Sequence, residues 1–93
     1  MDRFQEMTVF EAVADELSLA AAARRLYLSP PTVTRAIDAL EQRLGIKLLQ
    51  RSTRGVGLTE VGERFLADCR RILAEVADAD RSASGLHTSP QGR

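Results

Sequence analysis

The side chains best suited to grip a polyanion fall in two short stretches of this sequence. The first is Ser29-Pro30-Pro31-Thr32-Val33-Thr34-Arg35, and the second places Arg51 and Arg54 around Ser52-Thr53. Thr34 can donate, accept, or offer its methyl group to thymine, and Arg35 can contact guanine through two hydrogen bonds or bridge to phosphate. Arg51 and Arg54 suit phosphates or a narrow minor groove. Taken singly, each arginine would read as a solvated surface cation. Their joint placement, at a predicted helix start and on a predicted hairpin, favours contact with duplex DNA.

The chemistry needs elements to position it. Phe4, Met7, Phe10, Val13 and Leu17 recur at spacings of three and four, which predicts a first helix over about 3–16 with these residues on its buried face. Ser18 then caps a second helix over about 19–26, whose alanines at 20–23 allow another helix to approach closely. Tyr27-Leu28 forms the break, and Ser29-Pro30-Pro31 opens a third helix, with prolines in the first turn where a missing N–H costs nothing. Val33, Ile37, Leu40 and Leu44 form its buried stripe, and Gly45 its left-handed stop. Leu48-Leu49-Gln50-Arg51 and Val56-Gly57-Leu58 predict a two-stranded hairpin that must lean on the helices.

Thr59 is placed to cap a fourth helix reaching about Ser82. Its apolar line of Leu58, Val61, Phe65, Cys69, Ile72, Val76 and Ala79, with Leu66, Leu73 and Ala77 beside it, is wider than a small domain can cover. Leu66, Cys69, Ile72, Leu73 and Val76 are therefore expected to pair with a second copy of the helix. The organisation read from the sequence is a unit over 1–59, a pairing helix over 60–83 and a flexible linker over 84–93, where Gly85, Ser89, Pro90 and Gly92 gather. The fold class is mainly α, a winged helix-turn-helix of three helices and a two-stranded β-wing, followed by a long helix.

The chain has 93 residues and a net charge of zero, but the charge is uneven. Residues 1–16 carry −4, residues 17–57 carry +5 and residues 58–93 carry −1. Attraction to phosphate follows local potential, so the neutral sum does not argue against DNA. The apolar runs are far too short to cross a membrane and no export signal follows Met1, which implies the cytoplasm. The single cysteine, Cys69, is expected to be a buried small hydrophobe, and fits a reducing compartment. His87 has no partner at metal-ligand spacing, so neither metal nor cofactor is expected. An enzyme is disfavoured because there is no glycine-rich phosphate loop and no nucleophile with a plausible histidine partner. A protein-interaction module on the same scaffold is the remaining alternative, and the basic wing with Thr34-Arg35 counts against it.

One chain holds together Ala21-Ala22-Ala23-Arg24-Arg25-Leu26, Ser29-Pro30-Pro31-Thr32-Val33-Thr34-Arg35, Ala39-Leu40-Glu41, Leu44-Gly45, Leu48-Leu49-Gln50-Arg51, Arg54, and Leu58-Thr59-Glu60-Val61-Gly62. In these motifs, and over most of its length, the sequence resembles the N-terminal region of LysR-type transcriptional regulators. Pro30 stands where the family often has glutamine, and Leu49 where it usually has phenylalanine. The resemblance implies sequence-specific binding of double-stranded DNA at an inverted repeat, through Ser29, Pro30, Pro31, Thr32, Thr34, Arg35, Arg51 and Arg54. It also implies a homodimer, a tetramer in the full-length regulator, and a small-molecule effector bound by a further C-terminal domain that these residues lack.

Overall fold

The computed structural model describes the backbone of residues 1–88 and the side chains of residues 1–85. Its element order is α1 (Arg3–Glu16), α2 (Leu19–Leu26), α3 (Pro30–Leu44), β1 (Leu49–Ser52), β2 (Gly55–Leu58) and α4 (Glu60–Thr88). The two strands form one antiparallel hairpin, with Leu49 opposite Leu58 and Ser52 opposite Gly55.

Each helix begins on a side chain that satisfies an otherwise unpaired first-turn N–H. Asp2 accepts from the Gln5 amide at 2.8 Å while Gln5 reaches back to the Asp2 amide, a reciprocal cap that the sequence reading did not identify. Ser18 caps α2 and Ser29 caps α3, as their positions predicted. The Thr59 hydroxyl accepts from Gly62 at 2.9 Å and donates to the Lys47 carbonyl at 2.9 Å. The start of α4 is thereby fastened to the base of the hairpin. Gly62 faces the Leu48 carbonyl so closely that a Cβ there would overlap it, which is why a glycine occupies the first turn of this helix.

The helices α1, α2 and α3 pack on one another, with α4 closing over α1. Phe10, Val13, Ala22, Val33, Ile37, Leu40, Leu48 and Cys69 form the middle of the core, and Phe10 meets Phe65 of α4 with ring centroids 5.4 Å apart. α1 departs from its expected face. Phe4 and Leu17 are about half exposed, whereas Glu6 and Val9 are buried. Leu17 leaves the helical period by entering the left-handed region at φ 52°, and Phe4 sits in the first turn at the edge of the core. Glu6 is a carboxylate in a core position that apolar periodicity does not point to, and it is paired with Arg43 of α3. Leu44 is also exposed, contrary to the expected stripe, because residues 42–47 all lie outside the cover given to the rest of α3.

Both short interhelix breaks use a bulky residue in left-handed backbone, Leu17 and Tyr27 at φ 52° and 59°, each at a cost of about 1–2 kcal/mol. α4 continues past the expected end at Ser82, through Ser84 and Gly85 to Thr88, because residues 84–88 keep the helical backbone that their composition argued against. The remainder of the expected linker, 89–93, lies outside the described residues. At 1.5 Å per residue α4 is roughly 44 Å long, and it accounts for the elongated extents of 54 × 25 × 22 Å.

Candidate nucleic-acid interface

The leading end of α3 is exposed. Ser29, Pro30, Pro31 and Arg35 are open to solvent and Thr32 and Thr34 are half-buried, so the sequence-predicted residues of this segment sit together on one helix start. The Ser29 and Thr32 hydroxyls are 2.7 Å apart, and Arg35 Nη2 donates to Thr32 Oγ1 at 3.4 Å. Backbone donors are scarce at this end. Pro30 and Pro31 have no N–H, the Thr32 amide is taken by Ser29 Oγ and the Val33 amide by the Ser29 carbonyl. A ligand approaching α3 therefore meets hydroxyls, proline rings and a guanidinium rather than spare amides. Such a surface suits base edges and thymine methyls better than a phosphate cradle.

The hairpin is the second arm of the site. Its strands run from Leu49, which is buried, out to an exposed two-residue tip of Thr53 and Arg54. Ser52 Oγ accepts from the Arg54 amide at 3.2 Å, and Gly55 takes φ 125°, a conformation that side chains rarely adopt. Arg54 has no ion-pair partner among the described residues, and neither does Arg35. Arg51 differs: its Nη2 lies 3.0 Å from Asp38 Oδ1 and 4.0 Å from Glu41 Oε1. The predicted trio is thus divided into two cations without an acidic partner among the described residues and one that ties the wing to α3.

Glu41 fixes the angle between the arms. Its side chain is buried, and Oε2 accepts from the Leu48 amide at 2.8 Å and the Leu49 amide at 3.0 Å, while Lys47 Nζ stands 3.5 Å from Oε1. These bonds pair the amides where the chain turns from α3 into β1. Nothing in the spacing of Ala39-Leu40-Glu41 reveals which amides Glu41 will meet, so its role is not legible in the sequence.

Behind the site, Asp15 of α1 binds Arg70 of α4 at 2.6 Å and Arg25 of α2 at 3.1 Å. The Arg70 hydrogen bond, assisted by Arg25, holds the Asp15 carboxyl below its ordinary range against the opposing effect of partial burial. Arg25, whose guanidinium is raised by the same Asp15 bond, is a structural residue. Arg24 beside it is exposed with no ion-pair partner among the described residues, so the two neighbouring arginines have separate roles.

The residues expected to pair two chains are also divided. Cys69 is fully covered and Leu66 nearly so, both by their own chain, which leaves little of either side chain open. They belong to the core because α4 lies on α1 over its first half. Burial pushes the Cys69 thiol up to about 11, with Glu11 and Asp68 adding to the shift. Beyond that point Ile72 and Val76 are exposed at 38% and 37%, with Leu73 half-buried next to them.

The family described as bacterial regulatory helix-turn-helix protein, lysR family, matches residues 4–63, which include both arms of this site. The chain belongs to the LysR family. It is 50% identical over 84 residues to the HTH-type transcriptional regulator TfdS of Cupriavidus pinatubonensis, covering 87% of this chain and 28% of that protein. With the HTH-type transcriptional activator AaeR of Escherichia coli it shares 40% identity over 92 residues, 99% of this chain and 30% of that one. The chain thus spans less than a third of the LysR regulators it matches. Among solved structures, the DNA-binding domain of CbnR in complex with DNA is 46% identical with a TM-score of 0.82, covering 92% of this chain and 99% of that one. The DNA-binding domain of BenM bound to benA site 1 DNA is 33% identical with a TM-score of 0.83, covering 98% and 100%. These LysR domains have the same architecture of helices, wing and long C-terminal helix.

Proposed function

We propose that this LysR-family chain binds double-stranded DNA and serves as the DNA-reading part of a bacterial transcriptional regulator. The observation that carries the reading is the pairing of an exposed polar α3 start with a wing tip whose Arg54 has no acidic partner among the described residues. α3 enters the major groove with Thr32, Thr34 and Arg35 toward base edges and Pro30 and Pro31 against apolar base surface. Arg54 reaches the backbone or the adjacent minor groove. Arg51 acts mainly by holding the wing at its angle to α3. Similarity to domains whose structures are complexes with DNA supports this assignment.

Residues 1–59 act as the reading unit and α4 as the pairing helix, with Ile72, Leu73 and Val76 packing against a second copy. A two-fold dimer reads an inverted repeat whose half-sites lie about 10 bp apart or a multiple of that. The non-enzymatic role, the cytoplasmic setting, the tetramer and the effector-binding domain of the longer regulator belong to the same proposal. No described helix is long and apolar enough to cross a membrane. The test is to compare Arg35→Ala and Arg54→Ala on an enriched and a scrambled duplex. Arg35→Ala costs about 1–3 kcal/mol on the enriched duplex and relaxes specificity, whereas Arg54→Ala weakens both duplexes alike. Equal, sequence-blind losses from both would overturn the division of labour.

A further inference from the structure

Tyr27 is the most exposed of the large hydrophobic side chains among the described residues, at 95%, and it occupies a backbone conformation that disfavours it. Its φ of 59° and ψ of 40° are demanded by the turn that ends α2, where its amide bonds to the carbonyls of Ala23 and Arg24. Glycine or asparagine fills such a position with less strain. A bulky aromatic there gains nothing from its own chain, since almost none of its surface is covered. A strained residue that does no structural work is a candidate for function. Two residues further on, Ser29 caps α3, so the chain cannot carry the Tyr27 Cα more than about 7 Å from the Cα of that cap. The Tyr27 backbone therefore stands beside the start of the arm that approaches DNA, and its exposed phenol has almost no cover from its own chain to keep it from a duplex there.

We infer that Tyr27 is a DNA-contacting residue whose hydroxyl donates a hydrogen bond to a backbone phosphate oxygen flanking the groove that α3 enters. The inference rests on the proposed DNA-binding role of α3 and adds a neutral contact to its charged ones. A phenol O–H is a good donor to phosphate and carries no charge. Its contribution is accordingly independent of base sequence and releases no counterion.

The variants are Tyr27→Phe, which keeps the shape and removes only the hydroxyl, and Tyr27→Asn, which relieves the backbone. The probes are a labelled pool of random-sequence duplexes and the inverted repeat enriched from that pool, each titrated by anisotropy at several salt concentrations, with urea unfolding run in parallel. Tyr27→Phe keeps native stability and loses roughly threefold to tenfold in affinity per half-site on both probes, with an unchanged salt slope. Tyr27→Asn is at least as stable as the native chain yet binds more weakly, so that stability and affinity move in opposite directions. Native affinity in Tyr27→Phe, with Arg35→Ala still impaired, overturns the inference and leaves the DNA-binding reading standing. A loss confined to the enriched repeat also overturns it, because the contact would then be to a base. Absence of binding by the native chain itself would overturn the reading on which the inference stands.

Discussion

Asp38 of α3 and Arg51 of the wing form an ion pair of 3.0 Å across the angle between the two arms of the site. The pair joins a residue on the polar face of the reading helix to the strand that carries Arg54. It couples the orientation of one arm to that of the other.

Removal of Asp38 tests what this coupling does. The pair is partly exposed, so Asp38→Ala changes stability by less than about 1 kcal/mol in urea unfolding. It also deletes a negative charge from the proposed interface and frees Arg51 for phosphate. With the wing released from α3, affinity for the enriched duplex falls, whereas a rise in affinity for random duplex with a steeper salt slope would show that Arg51 serves phosphate rather than the wing.

Glu41 has the larger structural effect. Its buried carboxylate serves two amides and faces Lys47, so Glu41→Ala leaves the Leu48 and Leu49 N–H groups without their acceptor. A loss of roughly 3 kcal/mol in urea unfolding is expected, with weaker DNA binding because the wing is no longer held. A loss below about 0.5 kcal/mol, within the range of ordinary surface substitutions, would show that these bonds do not hold the wing base.

The Asp15 cluster gives the fold an acid limit. Arg70 and Arg25 lower the folded-state pKa of Asp15 below its unfolded value near 3.8. The contribution is therefore present above that value and is lost as pH falls through the lowered folded-state pKa. Asp15→Asn destabilises the chain at neutral pH and flattens this acid limb, which chemical denaturation between pH 2 and 6, a range of about two units either side of 3.8, measures.

Cys69 gives the opposite limit. Its folded pKa of about 11 exceeds the ordinary 9.0, so stability from the protonated thiol is present below pH 9.0 and lost as pH rises toward 11. At neutral pH the thiol is buried and protonated, so a disulfide reagent labels the native chain far more slowly than the unfolded one. Rapid native labelling would contradict its place in the core.

Helix starts and the wing were legible because they are local. Ser18, Ser29-Pro30-Pro31, Gly45 and Thr59 each announce a boundary through short-range chemistry, and Ser29, Pro30, Pro31, Arg35 and the segment 51–54 are exposed, with Thr32 and Thr34 half-buried between them. Features set by distant packing were not legible. The burial of Glu6 goes with its pairing to Arg43, thirty-seven residues away, which no local pattern announces. Leu66 and Cys69 looked like part of a pairing stripe because periodicity reports an apolar face without saying which neighbour covers it. Where α1 covers α4 is a tertiary fact, and it leaves Ile72 and Val76 for any second chain.

Binding of the chain to a pool of random duplexes, followed by anisotropy at two salt concentrations with sequencing of the bound fraction, tests the central claim most directly. The account predicts enrichment of an inverted repeat and an affinity that falls steeply as salt rises. Absence of binding at low salt would contradict it and leave the winged fold to a protein-binding role.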